Sequence, residues 1–184
     1  MARPGAVRLR RPVAQDTAGV FSVHGDPRSY PLDPGLVHRR LSDSAEFIGS
    51  IDHHWRRHDF GYWTVLVPRD WWPDGEPDPE DGDRVHAGLG GIQRHEVNGE
   101  QVLNVYYRFG TAVQGRGIAA RVLDAAKALA PRVAPGRDLL VRTRPANTAA
   151  RRVAERAGFD DQGPSPWEDD TQLLRLAVEK LGWS

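Results

Sequence analysis

An Asn-Gly pair between two strand-like runs constrains the fold of this chain more than any other feature. Asn98 and Gly99 separate a strand-like run at 86–94 from a second strand-like run at 101–109. Asparagine followed by glycine favours the left-handed backbone of a two-residue hairpin turn. The two runs are therefore predicted to be neighbouring antiparallel strands, and the rest of the chain has to be compatible with a sheet that contains them.

The remaining patterns predict strands and helices on both sides of this hairpin. Strands are predicted at 7–10, 61–67, 139–143 and 171–176, with a short one after Phe159, and helices at 15–23, 42–58, 115–130 and 147–157. The order β-α-α-β-β-β-α-β-α-β-β predicts an α/β protein with a mixed sheet, which the run at 171–176 closes.

Capping residues and helix breakers set the expected helix ends. Ser42 or Ser44 is predicted to cap the second helix, and Pro131 is predicted to stop the third. Asn147 is predicted to cap the fourth helix, and Gly158 to end it in the left-handed conformation.

Composition limits the classes of protein that this chain can represent. Its 184 residues predict a single domain over 1–184 with its core at about 7–176, and the absence of cysteine excludes disulfides and acyl-cysteine chemistry. With 25 basic and 25 acidic residues, the neutral chain is not expected to bind nucleic acid or an anionic membrane. It has no apolar run of membrane-spanning length and no signal-peptide pattern at its start, so a cytoplasmic location is expected.

One segment, residues 69–84, has the composition of a solvated loop. It holds three prolines and seven acidic residues, with too few apolar side chains to build a core of its own. Its acids, together with Trp71 and Trp72, can also attract a cationic amine. Both interpretations stay open.

The run Gln114-Gly-Arg-Gly-Ile-Ala119 lies at the junction between the second hairpin strand and the next helix. Free amides of a helical first turn and the positive end of the helix dipole meet there, so an anion site is expected. The glycines also fit a dinucleotide-binding pattern. That alternative needs a buried parallel strand before the loop and an acid after the next strand, whereas the hairpin strand is antiparallel and 139–143 is followed by Arg144.

Two motifs in this order resemble the GNAT superfamily of N-acetyltransferases. The run at 114–119 is similar to its Gln/Arg-x-x-Gly-x-Gly/Ala signature, and 145–159 is similar to its Asn-x-x-Ser/Ala helix that ends in Gly-Phe. The patterns at 7–16, 61–63 and 104–109 further resemble the RimJ/RimL-type branch, which acetylates ribosomal-protein N-termini and has many small-molecule relatives. The resemblance covers about residues 7–176.

The resemblance implies a GNAT fold, acetyl-CoA as donor, and a set of cofactor-binding positions. Loop amides would hold the pyrophosphate, and backbone groups at the splayed end of the hairpin strand would bind pantetheine and form an oxyanion hole. Asn147 either contacts the pantetheine arm or only caps its helix. The implied positions are Phe109, Gly110, Thr111, Gln114, Gly115, Arg116, Gly117, Ile118, Ala119 and Asn147.

The implied reaction is direct attack of a primary amine, on a small molecule or a protein N-terminus, in a ternary complex. Positions where relatives carry an acid, a serine or a tyrosine hold Ala150 and Ala154, so no general acid or base can be assigned. Asn104 and Tyr106 are the candidate catalytic residues, and with Arg108 they alternate along one strand face as candidates for substrate contact. The alternative function is a non-catalytic CoA-binding or regulatory domain.

Histidines raise the question of a metal site. His54 and His58 have helical ligand spacing, but no glutamate lies between them in a zinc-protease pattern and the family uses no metal, so none is expected. His95 near the hairpin turn is a candidate proton relay or an ordinary surface histidine. A homodimer is left open.

Overall fold

The computed structural model describes residues 7–181 of the chain. Expectations about residues 1–6, including the lack of a signal peptide, lie outside the described residues. The strands are β1 (Arg8–Arg10), β2 (Tyr62–Pro68), β3 (Arg84–Val97), β4 (Glu100–Phe109), β5 (Leu139–Thr143), β6 (Asp160–Pro164) and β7 (Gln172–Leu176). The helices are α1 (Thr17–His24), α2 (Leu41–His58), α3 (Ile118–Val133) and α4 (Thr148–Arg156). This order confirms the predicted α/β fold class.

The strands form one mixed sheet in the order β1-β2-β3-β4-β5-β7-β6. β1 pairs antiparallel with β2, and β5 pairs antiparallel with β7. β4 pairs parallel with β5 through Leu103–Val105 and Leu139–Val141, and β4 then runs on to Phe109. The prediction that 171–176 closes the sheet is wrong, because β7 lies between β5 and β6. The alternating apolar residues Leu174 and Leu176 are buried, whereas most of β6 is exposed, as suits an edge strand.

The predicted hairpin is confirmed at Asn98 and Gly99. Both residues have positive φ, 50° and 79°, as the two-residue turn requires. β3 and β4 are neighbours in the sheet and this turn joins them, so they are antiparallel.

Helix α2 begins one residue earlier than predicted and with a different cap. Neither Ser42 nor Ser44 is the cap. Instead, Asp43 accepts hydrogen bonds from the backbone amides of Arg39 at 2.8 Å and Arg40 at 3.0 Å. A carboxylate one turn into the helix satisfies these amides better than a hydroxyl, because it is also attracted to the helix dipole.

Helix α3 does not stop at Pro131, contrary to the prediction, and ends at Val133. Proline removes one backbone donor and crowds the carbonyl one turn earlier, which disrupts a helix most in its interior. Here the cost falls on the final turn, where the buried side chains of Ala130 and Ala134 favour continuation. The amide of Ala134 still donates to the carbonyl of Ala130 at 3.0 Å.

The acidic segment, residues 69–84, is folded rather than merely solvated. Its backbone bonds across itself, from the amide of Arg69 to the carbonyl of Asp83 at 3.0 Å and from the amide of Asp78 to the carbonyl of Arg84 at 2.9 Å. Asp78 is only 3% exposed. Most of the segment is exposed, as the predicted solvated loop requires, and buried Asp78 is held by an ion pair with Arg10 at 2.5 Å.

The described residues form two compact units, one made of 7–90 and 107–118, the other of 91–106 and 119–181. In the first unit α1 and α2 supply buried Val20, Val23, Ile48 and Ile51. In the second unit α3 and β5 supply buried Val122, Leu123, Leu139 and Leu140. The single domain over residues 1–184 stays a prediction. Among the described helices, none combines the length and hydrophobicity needed to span a membrane.

Candidate functional site

The loop that leads into α3 contains two glycines in the left-handed backbone region. Gly115 and Gly117 have φ angles of 75° and 76°, which strain any residue with a side chain. A Cβ added at either position would meet no heavy atom within 4 Å. Backbone conformation, not tight packing, therefore requires glycine here, and the space beside the loop is open to a ligand.

Three amides of this loop donate no hydrogen bond to any residue that the structure describes. The amide of Gln114 donates to the carbonyl of Thr111 at 3.3 Å, whereas those of Gly115, Arg116 and Gly117 donate no backbone hydrogen bond within residues 7–181. All four residues are exposed. The free donors directly precede the first turn of α3, whose own amides lack helical acceptors. Such a run of donors at the positive end of a helix suits a diphosphate.

Ile118 and Ala119 are the first two residues of α3. Ile118 is buried, with 3% of its surface exposed, and Ala119 is half-buried. Their side chains anchor the start of the helix, so only their backbone can contribute to an anion site.

Trp71 of the acidic segment lies beside the loop. The Cζ atom of Arg116 is 5.1 Å from the centroid of the Trp71 ring, within the range of a cation–π contact. The ring holds the guanidinium near the loop without neutralising its charge. The sequence prediction placed Trp71 in a solvated loop, because no spacing rule relates it to a residue 45 positions later.

Trp72 covers Gly110 at the end of β4. A Cβ on Gly110 would come within 2.5 Å of the Cη2 atom of Trp72, and φ at Gly110 is an ordinary −57°. Glycine is required here by close approach of the indole, a different reason from that at Gly115 and Gly117. The two tryptophans thus contact Arg116 and Gly110, two of the predicted cofactor-binding positions.

We expect Gly110→Ala to destabilise the protein by about 1–3 kcal/mol, since the added methyl group overpacks against the Trp72 ring. Urea denaturation measures the free energy of unfolding. The control is Gly82→Ala in the acidic segment, where an added Cβ meets no heavy atom within 4 Å. The loss of stability there should be small. Trp72→Ala added to Gly110→Ala should cost less than the sum of the two single losses, and strict additivity would contradict the contact.

The end of β4 only partly matches its implied role. The amide of Gly110 donates to the carbonyl of Ala87 at 2.9 Å, so it is not a free oxyanion donor. The ring of Phe109 stacks on that of Tyr107, with centroids 6.1 Å apart. The amide of Thr111 donates no backbone hydrogen bond within the described part of the chain. The Thr111 amide is therefore a candidate donor to a ligand.

Asn104 is held in place by a residue that the sequence did not single out. It is 7% exposed, and its Oδ1 accepts a hydrogen bond from Nε of Arg142 at 3.1 Å. Arg142 in turn pairs with Glu168 at 3.3 Å. Tyr106, two residues further along β4, is half-buried. Asn104 is therefore buried in the strand and fixed by Arg142, and its catalytic role stays a prediction.

Tyr107 of β4 and His95 of β3 have pKa values shifted from their ordinary values. Burial raises the pKa of Tyr107 to about 12, so its phenol is protonated at neutral pH. Burial, and then the charge of Arg142, lowers the pKa of His95 below its ordinary value, so His95 is neutral at pH 7. His95 is half-buried rather than an ordinary surface histidine. The sequence did not mark Tyr107, because burial of one of two adjacent tyrosines cannot be seen in the pattern.

Asn147 caps α4, as one of its two predicted roles requires. Its Oδ1 accepts a hydrogen bond from the amide of Ala150 at 3.1 Å. Its side-chain amide nitrogen donates no hydrogen bond within residues 7–181. This nitrogen is therefore the side-chain atom of Asn147 that can contact a pantetheine arm.

The histidines of α2 make structural contacts. Nδ1 of His54 lies 2.8 Å from the carbonyl oxygen of Phe60, and the rings of His54 and His58 have centroids 4.5 Å apart. Among residues 7–181, no group of three or more histidine, cysteine, aspartate or glutamate residues is arranged to hold a metal.

A family model described as an acetyltransferase (GNAT) domain matches residues 6–160. Curated protein sequences include no match to this chain.

Solved structures of acetyltransferases share the fold at low sequence identity. A GNAT-family acetyltransferase from Bordetella pertussis, described as putative in its name, superposes with a TM-score of 0.70 at 17% identity, covering 95% of this chain and 96% of its own. RimL, a ribosomal L7/L12 α-N-protein acetyltransferase in complex with CoA, has a TM-score of 0.70 at 15% identity, with 95% and 96% covered. Spermidine N-acetyltransferase from Vibrio cholerae, in complex with CoA and spermine, has a TM-score of 0.66 at 16% identity, with 96% and 98% covered.

Proposed function

Because the chain belongs to the GNAT family of acetyl-CoA-dependent N-acetyltransferases, we propose that it moves an acetyl group to a primary amine by direct attack in a ternary complex. The free amides of Gly115, Arg116 and Gly117 at the start of α3 carry this proposal.

The loop at 114–119 fits the diphosphate of CoA in both shape and charge. Its glycines leave open space beside the backbone, and Arg116 adds a cation above the Trp71 ring. The amides of Gly115, Arg116 and Gly117 have no acceptor within residues 7–181. Hydrogen bonds from amides to phosphate oxygens are charge-assisted and therefore strong. Bound there, acetyl-CoA supplies an activated acyl group on a thiol leaving group.

The residues of this chain contribute positioning and electrostatic stabilisation. The free amide of Thr111 is a candidate donor to the developing oxyanion. The acceptor amine has to lose a proton, to a base or through water. The predicted Tyr106 stays a candidate donor to the thiolate, and the protonated phenol of Tyr107 is a second one.

Kinetics and mass spectrometry test the direct mechanism. With acetyl-CoA and a primary amine both varied, we expect initial-rate lines that intersect, since both substrates are bound before any product leaves. Incubation with acetyl-CoA alone should leave the mass of the protein unchanged, because it has no cysteine to acylate. Parallel lines, or a mass increase of one acetyl group, would contradict a ternary complex. Tight binding of acetyl-CoA without turnover of any amine would favour the non-catalytic alternative.

The class of acceptor amine, the cellular location and the oligomeric state of the protein remain to be tested by experiment. The solved relatives include one named for a ribosomal protein and one named for spermidine, so protein N-termini and small amines both belong in the first screen. Dependence on acetyl-CoA, an intracellular metabolite, supports a cytoplasmic location, which cell fractionation can test. Size-exclusion chromatography with light scattering tests the homodimer.

A further inference from the structure

Arg108, one residue before the end of β4 at Phe109, carries a charge that no carboxylate within residues 7–181 neutralises. Its side chain is half-buried, and it forms no ion pair with any carboxylate in the described part of the chain. Asp26 lies three residues before Ser29, which Arg108 contacts, but it pairs with Arg28 at 2.9 Å and not with Arg108. A partly buried guanidinium without a counter-ion is costly, which is why such groups usually hold an anion.

The guanidinium is fixed in place but most of its donors are unused. Its Cζ atom lies 3.8 Å from the centroid of the Tyr30 ring, and Nη1 donates to the carbonyl oxygen of Ser29. Nε is buried without a hydrogen-bond partner, and Nη2 donates no hydrogen bond within residues 7–181. Arginine has five N–H donors, and stacking on an aromatic ring leaves its edge directed at a ligand.

Ser29 supplies a second donor at the same place. The residue is 5% exposed, yet its hydroxyl has no hydrogen-bond partner. A buried hydroxyl without a partner costs free energy unless a ligand or water binds to it. Because the backbone carbonyl of Ser29 accepts a hydrogen bond from Arg108, this hydroxyl belongs to a residue in direct contact with the guanidinium.

The surroundings of Arg108 are also short of negative charge. Burial lowers the pKa of His24 well below its ordinary value, and the charges of His38, Arg108 and His86 lower it further. The influence of Arg108 on a neighbouring ring agrees with a guanidinium that no carboxylate neutralises. An anion would gain from this field, whereas a polyamine would be repelled.

The acidic segment does not reverse this preference, because much of its charge is paired within the protein. Asp78 and Glu80 lie beside Arg10, at 2.5 Å and 3.8 Å, and Asp81 lies 3.4 Å from Arg84. The attraction of a cationic amine expected from composition alone is weakened accordingly.

We infer that Arg108, with the hydroxyl of Ser29, binds a carboxylate on the acceptor, so that the amine substrate is an amino carboxylate rather than a polyamine. This inference rests on the proposed function. Arg108 and Gly110 are two residues apart on one strand face, a separation of about 7 Å, which a small amino acid can bridge. Carboxylate is preferred over other anions because two parallel N–H donors match its two oxygens.

Matched acceptor pairs test the inference. Glycine, β-alanine, L-leucine and L-phenylalanine are each compared with their carboxamides in a thiol-release assay with acetyl-CoA. We expect the native enzyme to favour the carboxylates in kcat/KM. Arg108→Met should remove that preference by raising KM for the carboxylates about tenfold to a hundredfold, with the amides nearly unaffected. Equal losses for both members of each pair, or a native preference for amides or spermidine, would overturn the inference.

Binding measurements separate failure of this inference from failure of the proposed function. Calorimetric titration with acetyl-CoA should give the same Kd for the native protein and Arg108→Met, which also shows that the variant is folded. If no amine is turned over, the same amino acids and amides are titrated into the protein saturated with CoA, or into the protein alone if CoA does not bind. Binding of the carboxylates that Arg108→Met abolishes supports the inference, and lack of binding refutes it. Arg108→Lys, which keeps the charge but not the paired donors, should recover part of the affinity.

Discussion

Gly117→Glu is expected to weaken binding of acetyl-CoA at least a hundredfold. The substitution places a carboxylate beside the free amides of Gly115, Arg116 and Gly117, where the diphosphate is proposed to lie. Like charges in close contact cost several kcal/mol, and a hundredfold loss corresponds to about 2.7 kcal/mol. Calorimetric titration of the purified protein with acetyl-CoA measures the change in Kd.

Backbone strain has to be separated from charge in this experiment, and the chain offers a close control. Gly136, in the turn between α3 and β5, has φ of 75° against 76° at Gly117, and a Cβ there also meets nothing within 4 Å. Gly136→Glu therefore introduces the same strain and the same charge away from the loop, and should bind acetyl-CoA as the native protein does. Gly117→Ala should show an intermediate loss. If Gly117→Glu binds acetyl-CoA as tightly as the native protein does, the cofactor does not bind at this loop.

Local chemistry made much of this fold predictable. The turn at Asn98 and Gly99, the cap at Asn147 and the left-handed Gly158 each depend on a residue and its immediate neighbours. The glycines at 115 and 117 belong to the same class, because their backbone angles require glycine whatever packs nearby. Such features appear in the sequence as short patterns.

The contacts around the site that the sequence did not predict have a common physical cause. Trp72 on Gly110, Arg142 on Asn104 and Arg10 on Asp78 join residues more than 30 positions apart, and no local pattern encodes such contacts. The acidic segment illustrates the effect. Its composition correctly indicates a lack of apolar core, but its order comes from an arginine on a distant strand. The candidate site was thus predictable in its loop and not in the side chains around it.

That distant arginine gives the largest expected effect on stability, a loss of about 3–5 kcal/mol in Arg10→Met. The guanidinium donates to both carboxylate oxygens of Asp16, at 2.6 and 2.8 Å, and to Asp78 at 2.5 Å. The side chains of Asp16 and Asp78 are fully buried and that of Arg10 is 10% exposed. Methionine keeps the packing of the chain but leaves two buried carboxylates without their cation. Thermal unfolding should show a decrease in Tm of about 10 °C.

Arg11→Met is the matched control for charge and position. Arg11 pairs with Asp52 at 2.7 Å, but its side chain is 43% exposed, and exposed pairs contribute little because water and salt screen them. We therefore expect a small change in Tm. Equal losses in the two variants would show that burial of the Arg10 network has no special importance.

The pH dependence of the loss in Arg10→Met distinguishes the ion network from a packing defect. Burial opposes ionisation of Asp16, but hydrogen bonds from Arg10, the Val13 amide and Thr64 outweigh it and lower its pKa below the ordinary value. A carboxyl group with a lowered pKa contributes stability above its unfolded pKa, about 3.9, and loses that contribution as pH falls through the folded value. The native protein should therefore lose more stability than Arg10→Met below about pH 4, and the difference between them should shrink. A difference that stays constant from pH 7 to pH 3 would assign the loss to packing alone, and the order of the acidic segment would then need another source.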